Sequence, residues 1–303
     1  MSRKFQKFVD KIRQEFCLKK LELKGFYISK KKQTTESKRI LNVIIPCIEK
    51  DAKLLPLVIC SIRKFLKHPI NSINIVAPQG STFIKEFCNK NDCNFINETD
   101  VLDRNIIASG WYYQQFIKWA WADYKNEHDY VSLDADTIFL EDFSYDYNDR
   151  IILEYDETHH KPYRNLIRAI GFDIETSLGF VCHHMLWKRD WLAELKEKIE
   201  ERNNCSWIDA IKNNVTPEKT IKFSEFQTYG NFLVGYHRDD IVLEDWKNTT
   251  QQYLKEYDLN NPEDTLNLLV NKFKNNKSVT FPSWYMNNYK NINNLWWKMV
   301  NIR

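Results

Sequence analysis

Tyr130-Val-Ser-Leu-Asp134-Ala-Asp136-Thr-Ile-Phe-Leu140 sets two carboxylates one residue apart between two apolar, β-prone runs. The first run reads as a short buried strand, rich in branched and aromatic side chains. Ligand crevices of open α/β sheets lie at the carboxyl ends of such strands. Two acidic groups placed there suit a divalent cation, which prefers hard oxygen ligands and could bridge two phosphates of a nucleotide diphosphate. Short acidic pairs also recur as turn or cap residues, so the flanking chain has to decide.

Upstream, β-prone runs alternate with amphipathic segments. Leu41-Asn-Val-Ile-Ile-Pro-Cys47 reads as a buried first strand that Pro46 ends. Residues 51–67 carry Leu54, Leu55, Val58, Ile62, Phe65 and Leu66 along one helical side. Ser72–Ala77 is a second strand, residues 81–91 another helix and Asn94–Asn97 a third strand. Gly110–Tyr124 is an aromatic-rich third helix, and the acid-bearing strand follows it. This alternation predicts a doubly wound, mostly parallel, Rossmann-like α/β sheet flanked by helices. Right-handed crossovers bring its strand ends to one edge. Glu49 and Asp51 after the first strand, and Asp100 or Asp103 after the third, are expected to face the same crevice as Asp134.

The 303 residues are 43% hydrophobic and 14% aromatic, enough for a sizeable core rather than disorder. A net charge of +3 supplies no global field for nucleic acid. Seven cysteines, odd in number and without a C-x-x-C pair, fit a reduced cytoplasmic chain better than a disulfide framework or zinc ribbon. No window of about 18 apolar residues exists to span a bilayer, and no signal-peptide core opens the chain. Phe5, Phe8, Val9, Ile12 and Phe16 recur at helical spacing among Arg3, Lys4, Lys7, Lys11 and Arg13. This basic amphipathic helix either docks on the domain or rests on anionic lipid, peripherally at the cytoplasmic face of an inner membrane. The polar stretch Lys30–Arg39 is a linker. None of the seven glycines is spaced as G-x-G-x-x-G or G-x-x-x-x-G-K, so dinucleotide oxidoreductases and P-loop enzymes are poor fits.

Downstream, Ile151–Tyr155 reads as an edge strand, and Leu178–Trp187 as a strand carrying His183 and His184. Neighbours on a strand point to opposite faces, so at most one of the two histidines enters a given site. Asp190–Arg202 is a helix, and Ser224 caps another that begins with Glu225. Ile241–Leu243 is a late strand, and Asn261-Pro262 starts a further helix. The tail gathers Trp284, Tyr285, Tyr289, Trp296 and Trp297, an aromatic cluster that closes a core, sits at a lipid interface or stacks on sugars.

Gly110-Trp-x-x-Gln-Gln115-x-x-Lys118, Asp134-x-Asp136, His183-His184-Met185 and Ser224-Glu225-x-x-x-Tyr229-Gly230 occur in that order across Leu41–His237. In this order they resemble GT-A glycosyltransferases, specifically a bacterial surface-polysaccharide branch described mainly as a domain of unknown function. The resemblance implies a GT-A-like catalytic domain over residues 40–245, with a nucleotide-sugar half at 40–140 and an acceptor half at 141–245. Residues 1–39 and 246–303 fall outside it as N- and C-terminal extensions. It implies Mn²⁺ or Mg²⁺ held by Asp136 and Asp134, with His237 as a later ligand. Pro46, Glu49, Gln115, Lys118, Asp134 and Ala135 are the implied donor contacts. His183, His184 and Tyr229 are the implied sugar or acceptor contacts, His184 being the better placed of the two histidines. Glu225 is the implied base that removes the acceptor hydroxyl proton, in an inverting transfer. The donor would be a nucleotide-diphosphate sugar, expected to be UDP-linked. The acceptor would be a glycan or lipid-linked glycan of lipopolysaccharide or capsule synthesis.

Three rival classes answer to the same acids. A haloacid-dehalogenase-type phosphatase uses Asp-x-Asp with Mg²⁺, but its motif normally opens the sheet and Thr137 falls one place early. A sugar nucleotidyltransferase wants a glycine-rich basic loop after the first strand, which Ile45–Asp51 does not offer. A non-catalytic sugar- or partner-binding module would have no need of Asp134, Asp136 and Glu225 together.

Overall fold

The computed structural model describes residues 36–125, 128–155, 161–215, 221–251 and 257–282, with positions 12, 16, 19–20, 24–25 and 27–28. The basic helix expected at residues 5–16 lies outside the described residues except for Ile12 and Phe16, and the aromatic tail lies wholly outside them.

In chain order the first half holds β1 (Tyr27–Ile28), β2 (Leu41–Pro46), α1 (Leu55–Phe65), β3 (Ile70–Ala77), α2 (Thr82–Lys90), β4 (Asn94–Asn97), α3 (Glu98–Val101), α4 (Gly110–Tyr124), β5 (Tyr130–Leu133) and β6 (Thr137–Phe139). The second half holds β7 (Asp146–Tyr147), β8 (Arg150–Tyr155), α5 (Lys161–Ala169), β9 (His184–Trp187), α6 (Arg189–Asn203), α7 (Trp207–Asn214), α8 (Glu225–Tyr236), β10 (Ile241–Asp245), β11 (Asn248–Thr250), α9 (Pro262–Lys272) and β12 (Ser278–Thr280).

The central sheet runs β4-β3-β2-β5-β9, with β9 antiparallel and the other four parallel. All six residues of β2 are buried, as expected of a strand covered on both faces. From β2 the chain moves outward through β3 and β4, then returns to β5 on the other side of β2. The winding therefore reverses between β2 and β5, which is where crevices open in such sheets. The acid pair follows β5, and the loop carrying Asp51 follows β2.

Local chemistry accounts for the helix ends. Ser109 caps α4 by accepting from the Tyr112 N–H, and Ser224 caps α8 by accepting from the Gln227 N–H. Asn261 and Pro262 start α9 as expected. Beneath the sheet α4 and α8 bury Trp119, Phe226 and Tyr229 against Trp187 of β9, with Trp187 stacked on Phe226 at 5.9 Å.

Two expectations change. The strand expected over residues 178–187 is confined to His184–Trp187. Residues 151–155 are not an edge strand, because β8 lies between β10 and β7 in a second sheet ordered β1-β10-β8-β7. The boundary expected at residue 245 falls between β10 and β11, and the chain beyond it is built into the fold. β12 pairs antiparallel with β6, β11 pairs with β12, and the α9 residue Asn267 accepts from Lys64 of α1. No helix among the described residues is long and apolar enough to cross a membrane.

Close packing sets a test of this arrangement. A Cβ at Gly230 of α8 would lie 2.4 Å from the Phe180 ring, whereas one at Gly80 would meet nothing within 4 Å. Gly230→Ala is expected to destabilise by about 1–3 kcal/mol through overpacking. Gly80→Ala should unfold in urea at or slightly above the native midpoint. Equal midpoints for both variants would contradict the packing of α8 on the 178–183 segment.

Candidate active site

The turn between β5 and β6 is pinned from three parts of the chain. The Asp134 N–H donates to the His183 carbonyl at 2.9 Å, and the Asp134 carbonyl accepts the Thr137 N–H at 3.1 Å. The Asp136 carbonyl accepts the Phe281 N–H at 3.0 Å, so the segment after β12 closes the far side. Both carboxylates are thereby held at the mouth of the β2/β5 reversal.

Below the turn lies a buried cation. Lys118 extends from α4 and donates to Asp134 Oδ1 at 2.5 Å and Glu225 Oε1 at 2.6 Å, at 2% exposure. The Phe226 ring lies 4.2 Å from its ammonium. His183, the residue just before β9, sits at φ +66° and sets Nδ1 3.1 Å from Asp134 Oδ2. A left-handed histidine is uncommon, and here it aims both carbonyl and imidazole at one aspartate.

The charges do not balance. Burial lowers the Lys118 pKa, but Asp134 and then Glu225 outweigh it and hold the ammonium up at about 12. Burial would raise Asp134, yet Lys118 and His183 drive it well below the carboxylate range. Two carboxylates share one ammonium; Asp134, also bonded by His183, takes the larger benefit, and burial leaves Glu225 raised. Burial, then the Asp134 charge, pushes Asp136 up to about 6, with Asp51 adding to the rise. Burial works against the charged His183 imidazole, but Asp134 and Asp136 hold it above its ordinary pKa. Lys118 and His183 thus both compensate Asp134, while no cation bonds the Asp136 side chain among the described residues.

The expected residues divide clearly. Asp134, Asp136, Lys118, Glu225 and His183 converge, with Ala135 in the turn and Asp51 near enough to affect Asp136. Lys118 points down to the carboxylates rather than outward to phosphates. Gln115 is 3% exposed and bonds back to the Trp111 carbonyl. Pro46 is the buried last residue of β2, and Glu49 accepts the Phe83 N–H of α2 at 3.2 Å. Asp100 and Asp103 are bonded within their own segment, Asp100 accepting from Asn97 Nδ2 and Asp103 accepting the Asn105 N–H.

Three expectations are corrected. His184 does not face the site. It is 1% exposed, bonded through Nδ1 to the Tyr145 hydroxyl at 2.7 Å and packed on Trp246, and burial holds it neutral. Tyr229 is fully buried, and its hydroxyl accepts the Lys188 N–H, so it supports β9. His237 caps the far end of α8, where Nε2 meets Glu194 at 2.9 Å and its ring stacks on Trp191. Twelve residues at 1.5 Å rise put it about 18 Å along the axis from Glu225, out of reach of the acid turn. The Phe281 clamp went unread, although the alternating β-prone run Ser278-Val-Thr-Phe281 was its available signal.

Fold and site together define a mixed α/β protein with a carboxylate pair at the winding reversal of a mostly parallel sheet. The chain belongs to the family of unknown function DUF6492, which matches residues 38–293 and so takes in β12 and its clamp. No curated protein matches it. Among solved structures it is similar to the galactosyltransferase LgtC in complex with donor and acceptor sugar analogues, at 11% identity and TM-score 0.44 over 80% of this chain and 87% of that one. It is similar to glucosyl-3-phosphoglycerate synthase GpgS from Mycobacterium tuberculosis with Mn²⁺, UDP and glucosyl-3-phosphoglycerate, at 11% identity and TM-score 0.37 over 69% and 70%. A third is the glycosyltransferase GlyE of Streptococcus pneumoniae TIGR4, at 13% identity and TM-score 0.38 over 88% of this chain and 61% of that one. At these scores the likeness carries no weight for the chemistry.

The buried triad makes a sharp stability prediction. Lys118→Met leaves two carboxylates facing each other without a cation and should cost about 3–5 kcal/mol. Adding Glu225→Leu removes one of those charges and should recover a good part of the loss. Urea unfolding of both variants measures this, and a single-variant loss below about 1 kcal/mol would contradict the triad.

Proposed function

We propose that the protein is a metal-dependent glycosyltransferase, moving a sugar from a nucleotide-diphosphate sugar to a glycan or lipid-linked acceptor of bacterial surface polysaccharide. The observation that carries this reading is Asp136. It is a carboxylate at the sheet's reversal point with its pKa pushed up to about 6 by burial and by Asp134, and among the described residues its side chain accepts a single hydrogen bond, a 3.4 Å contact from Thr137 Oγ1.

The donor set fits Mn²⁺ or Mg²⁺. Among the described residues no group of three or more His, Cys, Asp or Glu side chains is gathered to hold an ion. Ions of this type are commonly held by one or two carboxylates plus substrate phosphates rather than by an all-protein cage. Asp136 would bind directly, while Asp134, with both oxygens already engaged, would contribute its charge or act through water. When bound, the cation supplies charge compensation for the departing nucleotide diphosphate.

The chain's own residues then have separate tasks. Lys118 and His183 fix the Asp134 carboxylate in one orientation, which positions the turn. Glu225 holds Lys118 from beneath. Its carboxyl is 3% exposed and already bonded, so it serves as an anchoring residue in place of the base that the family resemblance implied. Lys118 supports the diphosphate site through Asp134 rather than by direct contact.

Ligands that bind only the folded state raise its apparent stability, which gives a direct assay. UDP with MnCl₂ should raise the melting temperature of the native chain, and Asp136→Asn should lose most of that shift while melting normally alone. Release of UDP from a UDP-sugar in the presence of Mn²⁺ should disappear in the same variant. An undiminished shift or turnover in Asp136→Asn would remove the metal assignment.

A pH dependence follows from the same carboxylate. Asp136 has a folded pKa of about 6, above its ordinary value, so it favours the fold when protonated, and that contribution is lost as pH rises through about 6. A cation competes with that proton and stabilises the ionised form. The Mn²⁺-induced melting shift should therefore grow as pH rises from 5 to about 7, opposite in slope to Asp136's own contribution without metal. A shift that is flat across this range, or that shrinks, would contradict the assignment.

A further inference from the structure

A parallel strand covered on both faces normally carries apolar side chains on each of them. The amino-terminal ends of β2, β3 and β4 break this pattern on the face that packs under the carboxyl end of α4. The register pairs Asn42 with Ser72 and Asn74 with Asn94, so these four polar residues stand side by side on one face. Asn42 is 4% exposed and Asn74 3%, although asparagine is a poor strand former. Between the pairs Leu41–Ile70 and Asn42–Ser72, β3 carries one extra residue, Asn71. Such a bulge re-aims a side chain, and here Asn71 Nδ2 donates to Asn42 Oδ1 at 2.9 Å.

These residues line a cavity of about 170 Å³ at the amino edge of the sheet, closed on its other side by Trp121 and Lys125. The acid turn lies at the opposite edge. Asn42 pairs with Tyr130, four residues before Asp134, or about 13 Å along the strand direction.

The hydrogen bonds leave donors deep in the cavity. Asn42 Oδ1 is taken by Asn71 and, at 2.8 Å, by the Ser72 hydroxyl. Asn74 donates to the Val43 carbonyl and to Ser72 Oγ, and its Oδ1 accepts from Asn94 Nδ2. Asn42 Nδ2, with two hydrogens, meets no acceptor among the described residues. Lys125 is exposed, 5.4 Å from the centre of the Tyr124 ring, and has no carboxylate partner among the described residues. The acids nearest it in sequence are already engaged, Asp123 with Lys196 and Asp129 with Arg39. The carbonyls that end α4 would oppose an anion, but Arg189 donates to the Ala122 carbonyl and Lys196 to the Trp119 carbonyl, each at 2.9 Å. Asn71 and Asn94 are exposed at the rim, with their Oδ1 atoms unbonded among the described residues. Deep donors beside an unpaired ammonium suit an oxyanion, and rim carbonyl oxygens suit hydroxyls. The cavity is slightly larger than the about 150 Å³ that holds benzene, which suits a three-carbon molecule with one phosphate or carboxylate.

We propose that this cavity binds a small hydroxylated oxyanion, a polyol phosphate or a hydroxy acid. Its charged oxygens would meet Asn42 Nδ2 and Lys125, and its hydroxyls Asn71 and Asn94. This assignment is independent of the transferase reading, because none of these residues belongs to the acid turn.

Isothermal titration of the full chain without added metal, using glycerol 3-phosphate, glycerate and glycerol, tests it. At least one of the two anions should bind, which also tells phosphate from carboxylate, and glycerol should bind far more weakly. Lys125→Gln removes the ammonium from an exposed position and should weaken the anion by about tenfold. Asn42→Asp keeps the oxygen that Asn71 and Ser72 bond but replaces the donor with negative charge, and should abolish binding. The melting shift given by UDP and Mn²⁺ should be unchanged in both variants. The proposal is overturned if neither anion binds, if glycerol binds equally well, or if Lys125→Gln binds as tightly as the native chain. Loss of the UDP shift in Lys125→Gln would put the anion at the acid turn and overturn it too. Anion binding that depends on Lys125 in a chain showing no UDP shift would keep this site and dismiss the transferase.

Discussion

A single ammonium, Lys118, buried between the carboxylates of Asp134 and Glu225, ties together the three elements on which the site is built. It projects from α4, reaches the end of β5 and meets the first residue of α8. Removing a charge from water costs several kcal/mol, and the interior repays it only when the partners are close and well aligned. That requirement fixes the relative placement of two helices and a strand more tightly than apolar contact would, since apolar packing is non-directional. Phe226 and the aromatic cluster around Trp187 then exclude water from the ammonium.

The same cation explains why the two aspartates differ. Asp134 is fixed and compensated, while Asp136, two residues on, keeps its charge largely uncompensated. The turn is kept open by backbone bonds on both flanks, from His183 on one side and Phe281 on the other. The late segment around β12 is thus part of the site's frame, which accords with the family match extending to residue 293.

Much of the first half was legible in the residues themselves. Gly110–Tyr124 and Asn94–Asn97 fall within the bounds that periodicity and turn residues set, because short elements with strong local signals need little help from distant chain. The acid pair's place at a strand end was legible for the same reason. The second half was less so. Residues 178–183 have strand-like composition but form no strand of their own; the chain there bonds to Gln227 of α8, as in the Phe180 N–H donated to Gln227 Oε1. The choice between His183 and His184 was equally hidden. The ladder of β5 with β9 pairs Leu133 with His184, which leaves His183 beyond its end, opposite Asp134, in a left-handed conformation that alternation does not foresee.

By itself the sequence determined the α/β class, the order of the parallel strands' units and the meeting of two carboxylates with a strand end. Each of these follows from hydrophobic period, helix caps and chain-breaking residues, which act over a few positions. Only the tertiary structure decided what faces what. It sent Lys118 down instead of out, buried Glu225 against it, consigned His184, Tyr229 and His237 to packing, and brought Phe281 back to the acid turn. Those outcomes depend on balancing buried charge and satisfying backbone groups between segments as much as about 145 residues apart, such as Asp136 and Phe281, and such balances exist only once the segments are in contact.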